Sequence, residues 1–185
     1  LGLVGSEMCI RDRYEVKPKF IEIQRLAPYT SRGTDVPVVL DKMIHDIDIL
    51  LSLVKVPIKK TQATGLSILT DSIDIAHARM RFEDGTVASV MSSRIARDEV
   101  RKIKIFQKDL YATLDLLIGS TEIYEVVNDK TSKYKMTIPF DYKGNTKLIG
   151  YHKPDLSKGD PLRIELENFI LSIPVSYTHL RAHET

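Results

Sequence analysis

The chain has 185 residues, of which 43% are hydrophobic, and its 27 basic and 25 acidic residues give a formal net charge of +2. This length and composition predict one soluble domain with a hydrophobic core. The small charge and the lack of a basic run argue against nucleic acid as the main partner. No apolar run approaches the ~18 residues of a membrane span, and the first residues lack the charged and apolar regions of a signal peptide.

The two ends, residues 1–13 and 175–185, continue no periodicity of their neighbours. Both resemble translated sequencing-adapter sequence, so we expect them to be non-native flanks of a native segment at 14–174. The single cysteine, Cys9, lies in the first flank. Cysteine content therefore carries no information about the redox compartment.

The first elements in chain order are a strand and a helix. "KFIEIQRLA" (19–27) is short, rich in strand-favouring residues, and ends at the polar loop "PYTSRGTDVP". "VVLDKMIHDIDILLSLV" (38–54) repeats apolar residues at helical spacing. At 100° per residue one side of this helix is apolar and should face the core. Its members are Met43, Ile47, Leu50 and Val54, with Ile44 and Leu51 widening the stripe.

Another side of the helix carries a narrow polar strip, while Asp46 points elsewhere. The strip consists of Asp41, His45, Asp48 and Ser52. A carboxylate one turn from a histidine can fix its tautomer and raise its basicity, which suits an acid–base pair. Such a strip is also typical of a solvated face or of part of a metal site, although a metal usually needs a further ligand. Spacing alone leaves these three interpretations open.

The remainder of the chain is predicted to consist mainly of strands. "KKTQATGLSIL" (59–69) is one, and the runs on either side of Asp84-Gly85 predict a hairpin with a two-residue turn, because both turn positions tolerate positive φ. Further strands are predicted at 100–107, 111–118, 121–127 and 134–140.

A polar loop of about 17 residues follows the last predicted strand. It leads to a second helix at 160–173, which begins with Asp160 as N-cap and Pro161 as first helical residue. The sum predicts an α+β fold: a single, mostly antiparallel open sheet of about six strands with helices packed on one face.

The order of strand, loop and helix, followed by a long meander, resembles the C-terminal domain of the Gfo/Idh/MocA oxidoreductases. The resemblance is carried by "PKFIEIQRLAP", the D-x-x-x-H-D-x-D motif of the first helix, "FEDGTVASVMSSRIA" and "DPLRIELENFI". It implies an enzyme that uses NAD or NADP to oxidise or reduce a carbinol carbon, usually on a sugar, polyol or sugar nucleotide. The cofactor pool implies a cytoplasmic location.

Residue roles follow from the resemblance where the residues match the motif. Asp41 and His45 lie at the family's catalytic positions, where His45 would take the hydroxyl proton and Asp41 would orient the imidazole or the substrate hydroxyl. Asp46 and Asp48 match the H-D-x-D extension, for which helix anchoring and polar support are expected. Further candidates for substrate contact are Tyr29, Arg32 and Arg94.

The sequence lacks a cradle for a dinucleotide. Such a cradle needs a turn of the type G-x-G-x-x-G between a strand and a helix, and no two of the nine glycines are separated by one residue. We therefore expect no cofactor-binding residue here and a Rossmann domain N-terminal to this chain in a longer protein. The chain alone should be inactive.

The expected partners are a small sugar-type substrate and further copies of the chain, bound through the sheet face. We expect no nucleic acid, no membrane and no metal partner. Two other function classes stay open. One is a non-catalytic oligomerisation or interaction module, and the other is a metal-dependent hydrolase that uses Asp41, His45 and Asp48.

Overall fold

The structure is a computed structural model that describes residues 17–31, 33–128 and 134–154. The flanks predicted at 1–13 and 175–185 and the helix predicted at 160–173 lie outside the described residues. The described part of the chain forms one sheet of nine strands and one helix, which a π-helical turn precedes.

The helical segment begins with the π-helical turn Val39–Met43 and continues directly into the helix α1, Ile44–Val54. The strands in chain order are β1 (Phe20–Leu26), β2 (Ile58–Leu66), β3 (Ile75–Phe82), β4 (Val87–Ser93), β5 (Val100–Gln107), β6 (Leu110–Asp115), β7 (Ser120–Val127), β8 (Met136–Tyr142) and β9 (Asn145–His152).

The strands lie side by side in the order β2-β3-β4-β1-β5-β6-β7-β9-β8. Strand β1 pairs in parallel with β4, and the other neighbouring pairs are antiparallel. The sheet is therefore mixed, and the prediction of about six strands was wrong.

Strand β9 differs from the prediction, because its sequence, "NTKLIGYH", lies in the predicted polar loop. Its hydrogen bonds come from β7 on one side and β8 on the other. The turn that precedes it, Lys143-Gly144, has φ of 52° and 78°. Two consecutive residues with positive φ make the tight hairpin turn whose twist matches that of the strands. Pairing, rather than apolar alternation, therefore defines this strand.

The β3–β4 hairpin confirms the sequence prediction, but its connection is longer than predicted. Four residues, 83–86, join the strands, and Gly85 has a φ of 87° whereas Asp84 does not have a positive φ. The Asp84 carboxylate instead accepts hydrogen bonds from Thr86 N (2.9 Å) and Thr86 Oγ1 (2.8 Å). These hydrogen bonds hold the pKa of Asp84 below its usual value.

The two faces of the sheet differ in chemistry. The face that meets α1 is apolar, and its fully buried members include Ile21, Ile23, Val90, Ile103, Ile105 and Leu114. Alternate residues point to the opposite face, which we call the open face. An aromatic row crosses it on β1, β5, β6, β7 and β9, with neighbouring ring centroids 4.8 to 5.7 Å apart. The row consists of Phe20, Phe106, Tyr111, Tyr124 and Tyr151.

The helical segment packs against the sheet through most of the side that the sequence predicts to be apolar. Met43, Leu50 and Val54 are buried, as the spacing predicts. Ile44 and Leu51 are 48% and 42% exposed, so the prediction that they widen the apolar stripe was wrong. The buried side instead extends in the opposite direction around the helix, through Asp46 and Ile49.

Candidate functional site

One buried ion pair fastens α1 to the sheet. Arg25 on β1 donates from Nε to Asp46 Oδ2 at 2.8 Å and from Nη2 to Asp46 Oδ1 at 2.6 Å. The side chain of Asp46 is 1% exposed and that of Arg25 is 15% exposed. Two parallel hydrogen bonds fix orientation as well as distance. Asp46 thus anchors the helix, as the motif implied, and this contact turns the helix side that carries Asp46 towards the sheet.

The π-helical turn sets the position of Asp41. Val38 N donates to Ile73 O at 2.9 Å, and Asp41 N donates to Pro37 O at 3.1 Å. The turn closes with a hydrogen bond from Ile44 N to Val39 O. Short π-type segments in helices occur frequently at functional sites. The backbone of Asp41 is therefore held in place while its side chain stays exposed, with Oδ2 3.3 Å from Lys42 Nζ.

The other members of the polar strip also face outward. His45, Asp48 and Ser52 are exposed, and Ser52 Oγ donates to Ile49 O at 2.7 Å within the helix. In the part of the chain that the structure describes, no hydrogen bond joins Asp41 to His45. The structure therefore brings the two predicted catalytic residues to one accessible side of the helical segment, one turn apart.

Two neighbouring cavities open where β1 ends. The first, which we call the Asp41 cavity, has a volume of about 400 Å³ and is lined by Ala27, Pro28, Thr30, Asp41, Lys42, Arg94 and Glu99. The second, which we call the Arg101 cavity, has about 280 Å³ and is lined by Arg25, Leu26, Ala27, Lys42, Glu99, Val100, Arg101, Leu116 and Leu117. Lys42 borders both, so a ligand longer than one cavity would pass beside it.

Arg94 lines the Asp41 cavity, but its guanidinium is held by backbone carbonyls. Nη1 donates to Gly33 O at 2.7 Å, and Nη2 donates to Val36 O and, at 3.2 Å, to Ile73 O. Its side chain is almost completely buried. Arg94 thus ties the loop that precedes the π-helical turn to the residues before β3, which shapes the wall of the cavity.

Asp74 is a second buried charge at this end of the sheet. Its Oδ2 accepts backbone hydrogen bonds from Ile68, Leu69 and Thr70 at 2.7 to 2.9 Å, and its Oδ1 accepts from Thr70 Oγ1 at 2.7 Å. Burial alone would raise the pKa of this carboxyl, but the hydrogen bonds outweigh burial and hold it well below its usual value. Arg94 Nε lies 3.8 Å from Asp74 Oδ1.

Neither the buried Asp74 nor the pairing of Asp46 with Arg25 was predicted from the sequence. For Asp74 a local signal existed, because a threonine four residues earlier in "TDSID" can close a polar turn on the carboxylate. No local signal pointed to the partner of Asp46, because Arg25 lies 21 residues away on another element.

The candidates for substrate contact lie in different places. Tyr29 is exposed and lies between Pro28 and Thr30, which line the Asp41 cavity. Arg94 is the buried wall residue described above. Arg32 lies outside the described residues.

The described residues do not fit a dinucleotide cradle. The connection from β1 to the π-helical turn contains a single glycine, Gly33, where the pyrophosphate turn needs several. Within the described ranges, no three His, Cys, Asp or Glu side chains are grouped to hold a metal ion, so Asp41, His45 and Asp48 do not form such a group. Among these same residues, no helix has the length and apolar character needed to cross a membrane.

Comparison with known proteins agrees with the fold. The sequence model of the GFO/IDH/MocA C-terminal domain matches residues 17–109. The chain belongs to the Gfo/Idh/MocA family. This match includes β1, the π-helical turn and α1, and therefore both Asp41 and His45.

The chain is similar to a UDP-N-acetylglucosamine 3-dehydrogenase of Acidithiobacillus ferrooxidans. The two are 34% identical over 156 residues, which is 84% of this chain and 46% of the relative. A solved structure of that enzyme superposes with a TM-score of 0.76 at 31% identity, over 92% of this chain and 51% of that chain. The chain thus spans about half the length of this relative.

An NAD-binding protein from Listeria innocua shares the fold at lower similarity. Its TM-score is 0.60 at 14% identity, over 88% of this chain and 49% of that chain.

Proposed function

We propose that this chain is the substrate-binding and catalytic half of an NAD(P)-dependent dehydrogenase that oxidises a carbinol of a sugar nucleotide. The observation that supports this proposal most directly is that Asp41 and His45 lie exposed on one side of the helical segment. Asp46 anchors that segment to the sheet, and Asp41 lines a cavity. The similarity to a UDP-N-acetylglucosamine 3-dehydrogenase supports the substrate class.

In this proposal the residues of the chain handle the hydroxyl proton. Oxidation of a carbinol removes a proton from oxygen and a hydride from carbon, and a nicotinamide held by another domain would accept the hydride. His45 accepts the proton, since imidazoles as a class exchange protons near neutral pH. Asp41 orients the substrate hydroxyl or the imidazole. Lys42 Nζ lies 3.3 Å from Asp41 Oδ2, at the border of the same cavity.

The two cavities suit a ligand with a sugar at one end and an anionic group at the other. We place the sugar ring in the Asp41 cavity, within reach of the carboxylate, and the diphosphate beside Lys42 and towards the Arg101 cavity. Arginine and lysine are the side chains that bind phosphate oxygens best. Arg94 acts in this scheme by holding the cavity wall.

In this proposal a separate domain of the longer protein would bind the cofactor, since the described residues offer no pyrophosphate turn. The relatives are about twice as long as the chain, which leaves room for a dinucleotide-binding domain. Exposed apolar residues beside the polar strip support a contact with such a domain; they are Leu40, Ile44 and Leu51. Dependence on a nicotinamide pool also favours a cytoplasmic location.

We also propose that copies of the chain associate through the open face. The aromatic row, from Phe20 to Tyr151, offers a run of large side chains on a face that no described helix covers. Aromatic residues are enriched in the cores of protein interfaces. Sedimentation of the chain over a range of concentrations tests this proposal, and a monomer at every concentration would contradict it.

A chimaeric enzyme tests the proposed activity. This chain replaces the matching C-terminal half of the Acidithiobacillus ferrooxidans enzyme, and reduced cofactor is followed by absorbance with UDP-N-acetylglucosamine as substrate. We expect turnover. His45→Ala should lower it by ~10²–10⁴-fold, the typical contribution of a general base, and Asp41→Asn should lower it less. Cofactor affinity should stay nearly unchanged.

His77→Ala is the matched control, because His77 lies on the open face and bonds Ser89 Oγ through Nε2 at 2.9 Å. It should leave turnover unchanged. Full activity in the His45→Ala enzyme would show that the polar strip is only a solvated face. Inhibition by a chelator with recovery on adding a divalent metal would favour a metal-dependent reaction.

A further inference from the structure

The open face carries a basic cleft on β2 and β3, on the opposite side of the sheet from α1. The cleft has a volume of about 150 Å³ and is lined by Lys60, Gln62, Arg79 and Arg81. Lys60 lies directly opposite Arg81 in the strand pairing, and Gln62 lies opposite Arg79. All four residues are exposed. The cleft is therefore accessible in a single chain, and it is separate from the site around Asp41.

The three cations of the basic cleft have no carboxylate partner within the described ranges. Among the described residues, none of Lys60, Arg79 and Arg81 forms a salt bridge, and no acidic residue lines the cleft. Like charges directly opposite each other destabilise a strand pair. The sequence therefore keeps three charges together at a cost in stability.

Two other cations of the same face are paired with carboxylates. Lys104 Nζ lies 3.0 Å from Glu22 Oε1, and Lys102 Nζ lies 3.2 Å from Asp115 Oδ2. Residues of both signs are thus interleaved on β1, β5 and β6. The basic cleft on β2 and β3 thus differs from the part of the open face that β1, β5 and β6 form.

Protection of a sheet edge explains only part of the cleft. Lysines on edge strands discourage pairing with other chains, and this accounts for Lys60 on the edge strand β2. Arg79 and Arg81 lie on β3, which β2 and β4 pair on both sides. Their guanidinium groups present planar sets of N–H donors that match the oxygens of phosphate or carboxylate groups.

We propose that the basic cleft binds a phosphoryl oxyanion, either a free phosphate or diphosphate or the phosphate of a nucleotide. Arg79 and Arg81 donate N–H groups to its oxygens, Lys60 adds a positive charge, and the Gln62 amide donates a further hydrogen bond. The volume suits a small anion, since pockets for drug-sized molecules span about 300–1,000 Å³. The bound anion neutralises the charges that β2 and β3 place opposite each other.

The test is a nuclear magnetic resonance titration of the full chain with inorganic phosphate, pyrophosphate and UMP at constant ionic strength set by chloride. We expect saturable shifts at the amides of Lys60, Arg79 and Arg81, with pyrophosphate binding more tightly than phosphate. Equal affinity for phosphate and UMP indicates that the cleft recognises the phosphoryl group alone. Tighter binding of UMP indicates that the ligand is the phosphate of a nucleotide. Shifts that do not saturate, or that spread over the surface, overturn the proposal.

Variants separate a built site from general attraction between charges. Arg79→Gln and Arg81→Gln should each weaken pyrophosphate binding roughly tenfold, because each removes a charge-assisted donor. Lys104→Gln is the matched control, since it removes one positive charge from the same face outside the cleft and should change affinity by less than about twofold. Equal weakening by all three variants overturns the proposal.

Two further measurements test the proposal if a variant does not fold or if the chain forms a dimer. If either arginine variant fails to fold, Lys60→Gln on the exposed edge strand replaces it and should also weaken pyrophosphate binding. Sedimentation under the conditions of the titration shows whether a second copy covers the cleft. If the chain is a dimer and pyrophosphate causes no shift at Arg79 and Arg81, the proposal is overturned. Carboxylates of the second copy would then be the partners of these arginines.

Discussion

Buried charges near the Asp41 cavity have partners of opposite charge or hydrogen-bond donors, whereas the charges in the basic cleft face like charges. Near the cavity, Asp46 is paired with Arg25 by two hydrogen bonds, and Asp74 accepts hydrogen bonds from a polar turn. In the cleft, Lys60 and Arg81 face each other, and no carboxylate in the described part of the chain pairs with them. Burying a charge is costly unless it is paired. The buried pairs therefore hold elements together, whereas the exposed cations are left for a ligand.

The largest effect on stability is expected at Asp46. Asp46→Ala leaves Arg25 without its carboxylate in a site where it is 15% exposed, and breaking a buried pair costs about 3–5 kcal/mol. Urea unfolding measures the loss. Asp48→Ala, on the exposed side of the same helix, should change stability by less than about 0.5 kcal/mol. Similar losses in both variants would contradict the anchoring role.

A smaller loss is expected for Asp74→Asn at neutral pH, because a neutral amide accepts the hydrogen bonds of Ile68, Leu69 and Thr70 less strongly. The folded pKa of Asp74 is lower than its unfolded value. The charge therefore stabilises the fold above the ordinary carboxyl pKa of about 3.9, and this contribution is lost as the pH falls towards the lower folded pKa.

Denaturant unfolding of the chain and the Asp74→Asn variant at neutral and acidic pH checks this prediction. The difference in stability should be largest at neutral pH and should shrink below about pH 4. Asp71→Asn, an exposed neighbour in the same loop, is the control and should show no such trend. A difference that does not depend on pH would contradict the role of the charge.

The smallest effect is expected at the basic cleft, and its sign is opposite. Arg81→Gln removes a like charge facing Lys60 and should raise stability by about 0.2–1 kcal/mol at low salt. Lys104→Gln should lower stability or leave it unchanged, because Lys104 is paired with Glu22. Thermal unfolding in chloride measures both. Added phosphate should stabilise the unchanged chain more than the Arg81→Gln variant.

Features that belong to one element were predictable from the sequence. The helical spacing of 38–54 predicted that Asp41 and His45 share one side, and both are exposed in the structure. The Asp84-Gly85 pair predicted the hairpin between β3 and β4, although not the length of its turn. Such features follow from the period of a helix or the local φ of a turn, and these need no knowledge of the partner elements.

Features that join two elements were decided by the tertiary structure alone. The burial of Asp46 depends on Arg25, and the exposure of Ile44 and Leu51 follows from the side of α1 that this contact turns towards the sheet. The parallel pairing of β1 with β4 and the opposition of Lys60 and Arg81 are properties of strand order and register. Residue periodicity assigns a side chain to a face, but only pairing in space assigns it a neighbour.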